Sequence, residues 1–138
     1  MRSLALAGLL FGISSTAFAA DPPNIVGTWV PVSYAQAYAG SGGGVPDSNK
    51  ATFIKGVTGA WNYVIDKQDG AAFSGASKSP SGEASVFVGV FGIDGKHFVT
   101  STGRGNHEGE LVGDQLEICW TDNVEKYIGV SCALYKRQ

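Results

Sequence analysis

The sequence predicts an all-β fold, a small, mostly antiparallel up-and-down β-barrel of about eight strands. Three observations carry this. Turn signals recur at Asp69-Gly70, Ser81-Gly82, Asp94-Gly95, Gly103-Arg104-Gly105-Asn106 and Gly113-Asp114. Between them lie runs of roughly five to ten residues rich in Val, Phe, Thr, Tyr and Trp, the residues that suit a pleated, half-buried surface. No window of about a dozen residues keeps the 3.6-residue period of an amphipathic helix.

Residues 1–19 read as a secretory leader. Arg2 is followed by an apolar run from Leu4 to Ile13, then by Ser14, Ser15 and Thr16 before Ala17-Phe18-Ala19. That order is the one leader peptidases cut after an A-x-A site. The expected mature chain is a single domain over residues 20–138, located in the periplasm or secreted after cleavage near Ala19. No later stretch approaches the roughly 20 apolar residues of a spanning helix, so no membrane insertion is expected. Ten Lys and Arg stand against twelve Asp and Glu, for a formal net charge of −2. A weakly acidic, mixed surface offers no field that would recruit nucleic acid. The two cysteines, Cys119 and Cys132, are expected to form one disulfide, because an exported chain matures in an oxidising compartment.

Taken in order, strands are expected near 25–33, 51–56, 59–66, 71–77, 84–93, 96–102, 107–112, 115–121 and 127–136. The stretch from Ser33 to Lys50, with a Gly-rich loop near 38–50 that includes Gly-Ser-Gly-Gly-Gly at 40–44, reads as one long irregular connection. A two-residue turn at Asp94-Gly95 would set Phe91 against Phe98 and Phe87 against Thr102. A four-residue turn at 103–106 would set Thr102 against His107, Phe98 against Leu111 and Thr100 against Gly109. The Gly113-Asp114 turn would set Leu111 against Leu116 and His107 against Trp120.

Side chains alternate between faces along a strand. This register therefore puts Phe87, Phe91, Phe98, Thr100, Thr102, His107, Leu111, Leu116, Ile118 and Trp120 inside, and His97, Glu108, Glu110, Gln115 and Glu117 outside. Gly89, Gly109, Thr100 and Thr102 are expected to leave room and polar handles in the lumen. The two histidines fall on opposite faces, with His97 near Val112 and about 17 Å from His107 along the strand. Zinc needs each nitrogen at about 2 Å, so the pair cannot share an ion within one chain. No metal site and no cofactor are expected. Neither a Gly-x-Ser-x-Gly elbow, nor a His-Glu-x-x-His helix, nor a phosphate-cradling Gly-rich loop is present, and the reading is of a protein that is not an enzyme.

At the first strand, Asn24-Ile25-Val26-Gly27-Thr28-Trp29 resembles the Gly-x-Trp that opens the barrel of lipocalins and other calycins, and of avidins. The resemblance implies that Trp29 closes one barrel end against a basic residue of the last strand, for which Lys136 or Arg137 is placed. The stretch Gly59-Ala60-Trp61-Asn62, followed by Asp69-Gly70-Ala71-Ala72-Phe73-Ser74-Gly75, is similar to the first hairpin of avidins. The later Trp-rich strands and the serine and threonine set of avidins have no counterpart, so biotin binding is not implied. From Trp61 to Gln138 the chain also resembles small exported bacterial proteins in which W-x-Y-x-I-x-x-Q-x-G-x-x-F-x-G precedes V-G-V-x-x-x-D-G.

An eight-stranded barrel either fills with side chains or holds one small ligand. The candidate ligand site is Thr100, Thr102, His107 and Trp120 toward one end, with Phe87 and Phe98 beneath and Trp61 and Tyr63 as a further wall. Its expected ligand is a small, partly apolar molecule. Two readings from another class stay open. One is a protein inhibitor of a protease or lysozyme, acting through Asp21-Pro22-Pro23 or the segment from Tyr38 to Lys50. The other is a structural, envelope-associated module without a small ligand. An outward stripe of Val86, Val88 and Val90, with Val99 nearby, is expected either to lie under the 33–50 connection or to join copies into a homo-oligomer.

Overall fold

The computed structural model describes residues 21–40, 48–124 and 127–138. Residues 1–20, which include the expected leader, residues 41–47 of the expected Gly-rich loop, and residues 125 and 126 lie outside these. Among the described residues nine strands form one sheet: β1 (Gly27–Ala39), β2 (Thr52–Lys55), β3 (Asn62–Asp69), β4 (Ala72–Lys78), β5 (Ala84–Phe91), β6 (His97–Thr102), β7 (Asn106–Val112), β8 (Gln115–Val124) and β9 (Tyr127–Arg137). From β3 to β9 each strand pairs antiparallel with the next. β1 closes the ring by pairing with both β3 and β9. The result is a closed, eight-stranded antiparallel barrel with β2 as an extra strand outside it.

β1 departs from expectation. It does not stop near 33 but runs on through Ala39, so the expected irregular connection begins only beyond it. Near its start it meets β3 through Gly27, Thr28 and Trp29 alone. Farther on, that same edge is taken by β2, with Ala35–Tyr38 pairing Thr52–Lys55. A β-bulge lies between Pro31 and Ser33. An extra residue there reverses the alternation, so odd-numbered Trp29 and even-numbered Tyr34 and Gln36 all point inward.

The hairpin from β5 to β8 keeps its expected faces with one change of register. Phe91 opposes Phe98, Phe87 opposes Thr102 and His107 opposes Trp120. Between β6 and β7, however, Thr100 opposes His107 and Phe98 opposes Gly109, a shift of two residues from the four-residue-turn pairing. The turn is tighter than expected because the Thr102 backbone N–H donates to the Gly105 carbonyl at 2.9 Å, leaving Gly103 and Arg104 at its tip, and the last ladder pair is Ser101 with Asn106. A shift of two preserves the period of two, which is why no side chain changed face.

Half of the lumen is filled. Phe73, Phe87, Phe91 and Phe98 form a chain of tilted and edge-on ring contacts with centroids 5.5–6.3 Å apart, joined by Ile65, Leu116 and Ile118. Gly89 and Gly109 are not vacant room, as the sequence reading had them. A Cβ at Gly89 would stand 2.4 Å from the Phe73 ring, and one at Gly109 would stand 2.2 Å from the Phe98 ring. Their missing side chains let the phenyl rings lie flat against the wall. Trp29, 1% exposed, seals this end. Its indole N–H donates to the Ile25 carbonyl at 2.8 Å, and the Arg137 guanidinium lies 4.7 Å above its ring, a cation–π contact. The N-terminal segment is tied across the seal by Gln68, whose side chain binds the Ile25 N–H at 2.8 Å and the Pro23 carbonyl at 3.1 Å.

Cys119 and Cys132 oppose each other in β8 and β9 and form a disulfide. The β8–β9 ladder is continuous, Gly129, Ala133 and Tyr135 are buried on the inner face, and Ile128 and Val130 point outward, about half exposed. On the far wall Val86, Val88, Val90 and Val99 also stand exposed, Val88 at 61%, with no described residue covering them.

Candidate ligand-binding cavity

The end of the barrel away from Trp29 stays open. The cavity there has a volume of about 300 Å³, the lower end of the roughly 300–1,000 Å³ range of small-molecule sites.

Its floor is a hydrogen bond across the lumen. Tyr63 on β3 and His107 on β7 face each other from opposite staves, and the Tyr63 hydroxyl lies 2.9 Å from His107 Nδ1. Both residues are buried. Beneath them the Tyr63 ring packs against Phe87 and Tyr135, with centroids 5.5 and 5.1 Å away. Burial pushes the Tyr63 hydroxyl well above its ordinary range and lowers His107 to about 4. The floor is therefore an uncharged pair at neutral pH, since water is too scarce there to solvate a phenolate or an imidazolium.

The walls rise from alternate residues of the surrounding strands. Trp61 and Trp120 supply two aromatic panels, and the Trp120 ring stands edge-on to His107 with centroids 6.5 Å apart. The late part of β1 contributes Tyr34 and Gln36, joined to each other by a 2.9 Å hydrogen bond. β9 contributes Tyr127, Ser131 and Tyr135. Burial raises Tyr34, against the opposing effect of its Ser131 hydrogen bond, and burial also raises Tyr135. The opposite arc is paler in character. Ser77 and Ser85 line it from β4 and β5, and Arg104 reaches it from the β6–β7 turn.

Thr102 lines the cavity too, but its hydroxyl is engaged. It accepts the backbone N–H groups of Arg104 and Gly105, both at 3.1 Å, and donates to the Gly105 carbonyl at 3.0 Å. Thr102 thus shapes the turn that carries Arg104 and is not available as a ligand handle.

Of the residues proposed from sequence, Trp61, Tyr63, Thr102, His107 and Trp120 come together around this cavity. Phe87, Phe98 and Thr100 do not line it. Phe87 lies under the floor and Phe98 belongs to the filled half. Thr100 is buried, its hydroxyl without a hydrogen-bond partner among the described residues. The lining contributed by β1 and β9 went unforeseen. The cystine held the missing signal: it fixes Cys132 outward beside Cys119, and hence Ser131, Ala133 and Tyr135 inward. His97 sits on the outer surface, bonded to Asp94 and 3.6 Å from Glu110. Among the described residues, no group of three His, Cys, Asp or Glu side chains is arranged to hold a metal ion.

The fold and the cavity define a class: a closed, eight-stranded antiparallel barrel, plugged at one end and hollow at the other, an architecture consistent with that of calycins. No family model, curated protein or solved structure matches the chain.

Proposed function

We propose that this is an exported, calycin-like binding protein that holds one small, partly apolar molecule in the open end of its barrel. The carrying observation is the division of the lumen. One half is packed with phenylalanines and sealed by Trp29, while the other is a cavity with aromatic walls and polar groups directed into it. Packing alone would favour filling both halves, because an empty volume forfeits dispersion contacts on every side. Export is supported by the leader-like N-terminus and by the disulfide, which is compatible with an oxidising compartment.

The floor pair is assigned no catalytic step. A neutral imidazole bonded to a strongly protonated phenol, with no carboxylate to orient either, stabilises the wall and offers hydrogen bonds to a guest. Inhibition through Asp21-Pro22-Pro23 is the weaker reading, since Pro23, Asn24 and Ile25 are bonded to Gln68 and Arg137 and do not form a free arm.

Native mass spectrometry of the protein taken from the exported fraction tests the proposal. The expected result is a bound mass lost in Trp120→Ala and retained in Val99→Ala. A protein free of small molecules, which also takes up none from an extract of its host, overturns it.

A further inference from the structure

The chemistry of the cavity lining constrains what the guest must be, an inference that rests on the binding reading above. The hydrogen-bonding side chains around the cavity are hydroxyls, indoles, an amide, an imidazole and one guanidinium. Every one of these can donate a hydrogen bond, and no carboxylate is among them. Gln36 has its side-chain oxygen occupied by Tyr34. The indole N–H groups of Trp61 and Trp120 have no partner among the described residues. The hydroxyls accept as well as donate, so what tips the lining toward an acceptor on the guest is the pair of indole N–H groups and the absence of any carboxylate from the lining.

Charge adds a direction along the barrel axis. Burial at the deep end disfavours a charge and lowers His107 to about 4. The one formal charge in the lining is Arg104 at the mouth. Its backbone is fixed by the Thr102-ordered turn, and no ion pair within the described residues engages its side chain. Asp122 and Glu108 border the outer cleft on the other side of Arg104 but do not line the cavity.

We infer that the guest is a small monoanion, a flat or compact apolar body bearing one carboxylate, with the body between Trp61 and Trp120 and the carboxylate against Arg104. A guanidinium binds a carboxylate through two parallel hydrogen bonds, which is why arginine suits this task better than lysine.

The test uses matched pairs of probes: phenylacetate, 4-hydroxybenzoate and cyclohexanecarboxylate, each beside its neutral amide. Binding is followed through the indole N–H resonances of Trp61 and Trp120 in the intact, disulfide-bonded protein. The expected result is that at least one acid binds about tenfold or more tightly than its amide, and that Arg104→Gln removes the difference between acid and amide. Equal affinities for acid and amide overturn the anion preference and leave the cavity a binding site. If no probe of any pair moves either indole resonance, both this inference and the binding reading fail.

Discussion

Tyr63 and His107 are forty-four residues apart and belong to opposite staves of the barrel, yet their side chains meet at 2.9 Å. This one bond separates the packed half of the lumen from the hollow half. It holds because neither partner ionises in place: burial raises the phenol and depresses the imidazole.

Stability should consequently fall on mild acidification. His107 is lowered from 6.5 to about 4 in the folded chain, so between those values the unfolded chain takes up a proton that the folded one refuses. The contribution is complete above about pH 6.5 and is lost progressively as pH falls toward 4, to a limit of about 3 kcal/mol. Urea unfolding at pH 7.5 and 4.5 should show the loss, and His107→Gln should reduce it. An identical pH slope in that variant would remove His107 as the cause.

The two end tryptophans should behave differently. Trp29 is almost wholly enclosed and hydrogen-bonded, so Trp29→Ala should cost roughly 3–5 kcal/mol. Trp120 is only half-buried on the cavity wall, so Trp120→Ala should cost about 2 kcal/mol or less while abolishing guest binding. Denaturation midpoints and binding isotherms for the two variants provide the comparison.

The disulfide closes a short loop, with its cysteines 13 residues apart in sequence. Cys119→Ala with Cys132→Ala should lower stability by about 2–4 kcal/mol, chiefly by freeing the unfolded chain. Thiol labelling of the native protein should find no reactive cysteine, and two labelled thiols would contradict the pairing.

Val86, Val88 and Val90 form an uncharged outward stripe that the fold leaves uncovered by described residues. We expect self-association through it. Light scattering at tens of micromolar should give a mass above that of one chain, and Val88→Glu should return the monomer without loss of stability. A monomer in both cases rejects the contact.

The barrel was legible in the sequence because turn residues and alternation are local signals. Asp69-Gly70 and Gly113-Asp114 mark hairpins in which Gly70 and Gly113 take positive φ, at 55° and 66°, a conformation glycine adopts without strain. The Phe87, Phe91 and Phe98 face followed from the same logic. The cavity was legible only on the strands where that logic ran unbroken. β1 hid its second half because Ala35, Gln36, Ala37 and Ala39 carry little β-propensity and because the bulge after Pro31 reverses the inward set. The inner face of β9 was not legible from composition, because apolar Ile128 and Val130 face outward while Ser131 lines the cavity. A long-range constraint outweighed composition there, and only the cysteine pairing carried it.

β1 meets β3 through Gly27, Thr28 and Trp29 but follows β9 from Trp29 to Ala39. A cylinder whose staves are joined so unequally has a seam. Local opening concentrates where the fewest hydrogen bonds must break together, so amide exchange along the β1–β3 edge should outpace that along β8 and β9. The seam runs up to the open end, beside Trp61 and Gly59 of the cavity wall. For the guest proposed above, opening of this seam would be a second route beside the mouth, and its exchange rate should then follow that of the β1–β3 amides.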